Sequence, residues 1–207
     1  MGERKEVAVI GGGVSGLAAA KAFGERGHEV HAFERSHDLG GVWELSRSYP
    51  GVQTQSPKDL YRYTDLPMPA AYPEWPKGQQ VHAYLNAYAD KHGLREVFSF
   101  NTSVASMTRR ADGRPGWTLV LQGPDGERSE DFDFVAVCTG QFSDKNVITH
   151  AGQDAFEAQG GTVMHSSEYT DPEMMRGKRV VVLGGSKSAT DIAVNAAASG
   201  AEAVTLV

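Results

Sequence analysis

The feature that most constrains the fold is the glycine pattern Gly11-x-Gly13-x-x-Gly16, which separates a short apolar run from a helix-forming segment. Residues 7–10 are continuously apolar, as expected for a parallel strand covered on both faces. The first glycine permits a tight turn, the second lets the backbone approach a pyrophosphate, and the third lets the helix pack on the strand. The pattern predicts a Rossmann-like unit that binds phosphates at a helix N-terminus.

A second strand is predicted over residues 30–34 and ends in Glu34, 18 residues after Gly16. An acidic side chain roughly 20 residues beyond the glycine pattern is placed to accept a hydrogen bond from a ribose hydroxyl. The loop that follows contains the pair Gly40-Gly41 and the large aromatic Trp43. We interpret this loop as the path of the chain along the rest of a dinucleotide.

Composition and charge exclude several classes of partner. The 207 residues carry a net charge of −6 without a basic cluster, which argues against binding to nucleic acid or an anionic membrane. The single cysteine, Cys138, rules out a disulfide framework and a cysteine-based zinc site and indicates a reducing, cytoplasmic setting. No apolar run approaches the ~20 residues that span a bilayer, and the N-terminus leaves no room for a signal peptide.

The middle of the chain predicts one helix and an antiparallel meander. An amphipathic helix is expected over residues 78–93, followed by strand-like runs at 97–107, 117–122 and 128–134 with glycine-containing turns between them. The third run continues into a predicted buried strand that ends in Thr139-Gly140. We interpret Cys138 in this strand as a small buried residue and not as a nucleophile, because no paired base is near it in sequence.

The strand, glycine turn and helix recur over residues 178–193, 173 residues after the first pattern. Here the pattern is Gly184-x-Ser186-x-x-Ala189, so serine stands where close approach of the backbone favours glycine. The hydroxyl of Ser186 is a candidate donor to a phosphate. Lys187 either adds positive charge beside that phosphate or is a solvated residue at a helix start. The repeat predicts a second dinucleotide site.

Residues 11–43 resemble the FAD-binding start of the flavin-dependent monooxygenases that hold FAD and NADPH on one chain. Segments 53–58 and 65–69 resemble the flavin-containing branch, and Gly161-x-x-x-His165-x-x-x-Tyr169 matches most of the family fingerprint, with Gln159 where the family has phenylalanine. The resemblance implies an α/β fold: a Rossmann-like FAD-binding unit over residues 1–155 with the inserted meander, a linker over 156–177, and the start of a second, Rossmann-like NADPH-binding unit over 178–207, truncated relative to the family.

The resemblance also implies an activity. In this family NADPH reduces FAD, and the reduced flavin captures dioxygen as a flavin (hydro)peroxide that oxygenates a soft nitrogen or sulfur centre of a small molecule. Gln55 aligns with the asparagine that precedes the family's Pro-Lys pair and is the predicted catalytic residue, whereas His165 is expected to have a positioning role. The Baeyer–Villiger branch fits less well, because Ser48, Gln55 and Tyr169 stand where that branch has an aromatic residue, aspartate and tryptophan.

Three alternatives stay open at this point. The first is a Baeyer–Villiger-type enzyme, the second is an FAD/NADPH reductase or oxidase, and the third is an inactive half of a split or truncated flavoprotein that needs a second chain or a homo-oligomer. No metal ligands are expected. The predicted cofactor-binding residues are Gly11, Gly13, Val14, Ser15, Gly16, Glu34, Arg35, Gly41, Val42, Trp43, Thr139, Gly140, Gly184, Ser186, Lys187, Ser188 and Ala189.

Overall fold

The structure is a computed structural model that describes residues 3–207. The chain divides into two compact units, one formed by residues up to 44 together with 81–143, and the other by residues 45–80 together with 144–207. The strands are β1 (Glu6–Ile10), β2 (Glu29–Phe33), β3 (Phe98–Ser99), β4 (Ser103–Arg109), β5 (Trp117–Gly123), β6 (Gly126–Phe132), β7 (Phe134–Val137), β8 (Arg179–Val182) and β9 (Ala203–Leu206). The helices are α1 (Val14–Glu25), α2 (Gly78–Lys91), α3 (Gln153–Ala158) and α4 (Lys187–Ala198).

The first unit is built on a four-stranded parallel sheet in the order β3-β2-β1-β7. Strand β1 lies inside this sheet, and its residues Val7, Ala8 and Val9 are almost completely buried, which explains the unbroken apolar run in the sequence. Helix α1 follows β1 after the glycine turn. The predicted strand, turn and helix are therefore confirmed.

The antiparallel meander is also confirmed and consists of β4, β5 and β6. Its inner face packs on the parallel sheet through Leu119, Leu121 and Phe132, which form one core cluster with Ala8 and Phe33. The β5–β6 turn is a two-residue loop between paired Gly123 and Gly126, and Gly126 has a positive φ of 101°.

Two details of the sequence interpretation are wrong. The run at 97–107 is not one strand, since β3 joins the parallel sheet and β4 joins the meander. Between them Asn101 adopts a left-handed conformation with φ of 51°, which asparagine tolerates better than most residues. Strand β7 is not buried: Phe134 is 50% exposed and Val137 is 59% exposed, because within residues 3–207 β7 pairs only with β1.

The second unit contains the parallel pair β8–β9 with α4 packed on one face. Its core holds Tyr169, Met175, Ile192 and Ala196. Helix α4 begins directly after the second glycine turn, as the repeated pattern predicts. Within residues 3–207 no helix has the length and apolar character needed to cross a membrane.

Candidate functional site

Close packing within the protein leaves no room for a side chain at two glycines of the first turn. Gly11 has a φ of 107°, and a Cβ built there would lie 2.5 Å from the carbonyl oxygen of Cys138. A Cβ on Gly16 would overlap the carbonyl oxygen of Gly11, so α1 starts in direct contact with the turn. A side chain at either position requires the backbone to move.

The middle glycine of the same turn has a different explanation. Gly13 is extended, with φ of −83° and ψ of −169°, and an added Cβ would meet nothing nearer than the Cα of Gly41 at 3.5 Å. Neither its conformation nor its protein neighbours demand glycine, whereas a ligand approaching the N-terminus of α1 would. The first residues of α1, Val14 and Ser15, are exposed beside it. The geometry of this turn fits a bound pyrophosphate.

Glu34 has a structural role that the sequence did not reveal. It is 4% exposed; its Oε2 accepts a hydrogen bond from the backbone N–H of Gly12 at 2.6 Å and its Oε1 accepts one from Ser36 at 2.8 Å. A carboxylate offers about four acceptor positions, so capacity remains for a ribose hydroxyl. Glu34 thus braces the glycine turn, and its contact with a ribose stays a prediction.

The second pair of glycines lies against the first turn. The N–H of Gly40 donates to the carbonyl of Gly12 at 3.0 Å, and a Cβ on Gly41 would come within 3.0 Å of the Cα of Gly13. Both positions have positive φ, at 128° for Gly40 and 59° for Gly41. The short helical turn Gly41–Trp43 follows. The structure therefore brings together two glycine segments that are far apart in sequence.

The remaining predicted cofactor-binding residues of this unit differ in burial and in position. Trp43 is 8% exposed and anchors the loop, whereas the neighbouring Val42 is 45% exposed. Thr139 lies beside the first turn, since a Cβ on Gly11 would be 3.6 Å from the Cα of Thr139, and Gly140 has a φ of 79° with open space around it. Arg35 is exposed and its guanidinium donates to the carbonyl of Ser143.

Cys138 comes just before Thr139 and continues the pairing with β1, with its N–H donating to the carbonyl of Ile10 at 2.9 Å. Burial raises the pKa of the Cys138 thiol, which disfavours the nucleophilic thiolate.

The second glycine turn reproduces the backbone of the first. The N–H of Gly184 donates to the carbonyl of Val207 at 2.8 Å, as that of Gly11 donates to Phe33 at 2.8 Å. Ser186, at φ of −98° and ψ of 179°, is extended like Gly13 and precedes α4. Serine at this position usually caps the helix by accepting a hydrogen bond from a backbone N–H of the first turn. The exposed side chain of Ser186 makes no such bond.

Lys187 matches neither alternative fully. Its ammonium forms an ion pair with the carboxylate of Asp191, one helical turn further on, and the hydroxyl of Tyr49 donates to the same carboxylate at 3.0 Å. Burial and the charge of Asp191 raise the pKa of Tyr49 to about 12, against a hydrogen bond with Ser188 that acts in the opposite direction. The positive charge of Lys187 is thus held at the helix start and partly neutralised there. Ala189, in the first turn of α4, is 7% exposed.

The His165 segment forms a cap in the second unit. Its Nδ1 accepts from the N–H of Ser167 at 3.2 Å, while its own N–H donates to Glu168 at 2.7 Å, a reciprocal cap for the helical turn Ser166–Glu168. This turn leads into Tyr169, which is 1% exposed and donates to the side chain of Asn195. The ring of Phe156 lies directly against Gly161, where an added Cβ would come within 2.3 Å of its Cε1.

Gln55, the predicted catalytic residue, lies in the second unit on a loop with fixed neighbours. Thr54 is 2% exposed; its N–H donates to Pro76 at 3.0 Å and its hydroxyl donates to the carbonyl of Ser56 at 2.8 Å. The ammonium of Lys58 donates to the carbonyls of Ala70 at 2.8 Å and Tyr72 at 2.6 Å. Gln55 itself is exposed on this braced loop.

Comparison with known proteins identifies relatives over the whole length of the chain. Residues 4–207 match the family described as flavin-binding monooxygenase-like. Flavin-containing monooxygenase 1 of Homo sapiens is 37% identical over 204 residues, an alignment that covers 93% of this chain and 38% of that protein. The chain therefore spans well under half the length of this curated relative.

Solved structures show the same likeness. S-allyl-L-cysteine S-oxygenase from Allium sativum is 27% identical with a TM-score of 0.83, and the match covers 99% of this chain and 51% of that one. OTEMO, in complex with FAD and NADP, is 26% identical with a TM-score of 0.81, covering 100% of this chain and 39% of that one. The expected α/β architecture, with parallel and antiparallel sheets, is confirmed by these neighbours.

Proposed function

Because the chain belongs to the flavin-binding monooxygenase-like family, we propose that it forms part of an FAD- and NADPH-dependent monooxygenase that oxygenates a soft nitrogen or sulfur centre of a small molecule. The observation that carries the proposal is the turn at Gly13, where neither the backbone conformation nor the protein neighbours require glycine and the N-terminus of α1 is left open to a phosphate. When bound, the reduced flavin supplies the electrons with which dioxygen is activated.

The residues of the first unit have binding roles in this proposal. The N-terminus of α1 holds the pyrophosphate of FAD, with Gly13 admitting it and Val14 and Ser15 beside it. Glu34 fixes the turn through Gly12 and offers its remaining acceptor positions to a ribose. The loop at Gly41–Trp43 and the residues Thr139 and Gly140 then border the rest of the cofactor.

The second unit has the corresponding role for NADPH. The start of α4 receives the pyrophosphate, and the exposed hydroxyl of Ser186 donates to it. Ser188 and Ala189 complete the first turn of the helix. Gln55 has an amide that both donates and accepts, and we assign it the task of hydrogen bonding to the oxygen being transferred. A cytoplasmic location and assembly with a second chain or copy belong to the same proposal.

Sulfur as the acceptor has support from one relative in particular. The neighbour from Allium sativum is named as an S-oxygenase of S-allyl-L-cysteine, and the match covers 99% of this chain. Thioethers and tertiary amines share a soft lone pair, so both are appropriate first substrates. A carbonyl acceptor, as in the Baeyer–Villiger reaction, is the alternative to be tested beside them.

The test begins with the visible spectrum of the purified chain mixed with FAD. Bound flavin is expected to bleach when NADPH is added without oxygen and to recover when air is admitted. A thioether, a tertiary amine and a cyclic ketone are then supplied separately, and oxygenated product is measured against hydrogen peroxide. Sulfoxide or N-oxide supports the proposal; lactone indicates the Baeyer–Villiger reaction, and peroxide alone indicates an oxidase.

The variant Gln55→Ala separates cofactor binding from oxygen transfer. It is expected to retain flavin binding and bleaching by NADPH but to divert oxygen from product to hydrogen peroxide, because Gln55 belongs to neither glycine turn. Unchanged product yield in this variant would remove Gln55 from the mechanism without affecting the assignment of the cofactors.

A further inference from the structure

In the first unit, the segment 38–41 lies against the first glycine turn, which we call the phosphate turn, and it also contacts helix α2. Its residue His82 has a side chain that is 13% exposed, and its Nε2 lies 3.0 Å from the carbonyl oxygen of Leu39 and 3.0 Å from Oδ2 of Asp38. The carbonyl of Leu39 and the carboxylate of Asp38 are acceptors, whereas the amide nitrogen of Asn86, also 3.0 Å from Nε2, is a donor. We assign the proton to Nε2, because two acceptors face it against one donor. One histidine thereby holds two consecutive residues immediately before Gly40.

The histidine is also in steric contact with the glycine. A Cβ on Gly40 would come within 2.9 Å of Cδ2 of His82, so the imidazole ring lies directly against the Gly40 backbone. From the other side, the N–H of Gly40 donates to Gly12 at 3.0 Å. Gly40 is therefore enclosed between the imidazole and the first glycine turn, in a backbone conformation with φ of 128° that residues other than glycine rarely adopt.

Hydrogen bonds from Arg95 and Asn86 hold Asp38 and His82 in place. Arg95 donates to Asp38 at 3.3 Å and to Asp90 at 2.9 Å, and the side chain of Asn86 links Arg95 to the carbonyl of His82 at 3.0 Å. Burial acts to raise the pKa of Asp38, but the N–H of Leu39 together with Arg95 and His82 outweighs it, and the net pKa is lowered. Asp38 stays ionised and keeps accepting from His82.

We propose that His82 is a positioning residue for FAD: by holding Asp38 and Leu39 it presses the Gly40-Gly41 segment onto the phosphate turn and fixes the shape of the site before the cofactor arrives. The proposal rests on the proposed function only in naming FAD as the ligand. Preorganisation of a binding loop increases affinity because the ordering cost is met before binding.

The test compares three variants of the full chain. His82→Leu removes the donor at similar size, His82→Gln restores an N–H donor at the end of a flexible chain, and Ala87→Leu places leucine on an exposed position of the same helix as a control. Loss of one buried hydrogen bond changes an equilibrium by about tenfold. His82→Leu is therefore expected to weaken FAD binding about tenfold, with His82→Gln recovering most of it and Ala87→Leu unchanged.

A second measurement is independent of the cofactor. Amide hydrogen exchange at Gly40, in the absence of FAD, is expected to accelerate about tenfold in His82→Leu and to return towards the original rate in His82→Gln. If FAD does not bind to the unmodified chain, the proposed function fails, while exchange at Gly40 still judges the role of His82. Unchanged exchange in His82→Leu, or equal damage in the leucine and glutamine variants, would overturn the proposal.

Discussion

The two glycine turns share one backbone path but are packed at different distances. In the first turn Gly16 touches the carbonyl of Gly11 so closely that no Cβ fits, whereas in the second turn Ala189 occupies the same position and its Cβ would be 3.6 Å from a Cβ on Gly184. The third position of the pattern thus reports how near the helix comes to the turn. The middle position has room in both turns, at Gly13 and at the exposed Ser186, and it is there that we propose a phosphate approaches.

The second residues of the two turns differ in the same sense. A Cβ on Gly12 would meet Leu39 at 2.9 Å and the Glu34 carboxylate at 3.0 Å, whereas one on Gly185 would meet no atom within 4 Å. The first turn is enclosed by a brace and a second loop, while the second turn is open among residues 3–207. Four substitutions separate the effects of packing, ligand and charge in this comparison.

The largest effect is expected for Gly16→Ala. The new Cβ must displace the backbone of Gly11, and overpacking of this kind costs about 3 kcal/mol of unfolding free energy. Urea unfolding measures the change. Gly24→Ala in the same helix is the matched control, because a Cβ there meets nothing within 4 Å, and alanine in a helix is expected to stabilise by about 0.5–1 kcal/mol. Equal stability of the two variants would contradict the close packing described for the first turn.

Gly13→Ala is expected to leave folding intact and to damage ligand binding. Its Cβ makes only ordinary contact with Gly41, so the unfolding free energy should change by less than about 0.5 kcal/mol. The methyl group enters the space assigned to the pyrophosphate, and the affinity for FAD is expected to fall at least tenfold, about 1.4 kcal/mol. Flavin fluorescence titration measures it. A variant that loses stability but binds FAD normally would show that Gly13 is required by packing.

The sequence predicted the local parts of this arrangement and missed the distant ones. Both turns, their helices and the meander follow from spacing and turn residues that lie within a few positions of one another. The brace from Glu34 to Gly12 joins residues 22 apart, and His82 reaches Leu39 across 43 residues. No periodicity marks such pairs, because the sheet and helix α2 bring them together only after folding.

The exposure of β7 was missed for a related reason. Its apolar residues Phe134 and Val137 are typical of a buried strand, but burial depends on neighbours, and within residues 3–207 only β1 pairs with it. Composition indicates how a strand would behave when covered, not whether the residues that cover it are present. Lys187 gives a further example, because its partner Asp191 is only four residues away, whereas the hydroxyl of Tyr49 reaches the same carboxylate across 142 residues.

A smaller effect is expected at the start of α4. Asp191→Asn keeps an acceptor for Tyr49 but removes the ion pair with Lys187. The side chain of Lys187 is 30% exposed and the side chain of Asp191 is 13% exposed. For such a partly buried pair the loss is about 1 kcal/mol of unfolding free energy. A double-mutant cycle with Lys187→Met isolates the pair. Strict additivity of the two substitutions would show that Lys187 is effectively solvated, the alternative that the sequence left open.

The smallest effect concerns the alkaline limit of the second unit. The pKa of Tyr49, raised to about 12 by burial and by Asp191, lies above the ~10 of an unfolded tyrosine, so the unfolded chain loses this proton first. The stabilisation is fully present below about pH 10 and is lost as the pH rises through about 12.

Tyr169 also has a raised pKa through burial, so wild type must be compared with Tyr49→Phe at each pH. The difference in unfolding free energy between them should shrink over this window, and tyrosinate absorbance should lose one late-titrating group in the variant. A constant difference would mean that Tyr49 ionises normally and that Asp191 holds Lys187 without it.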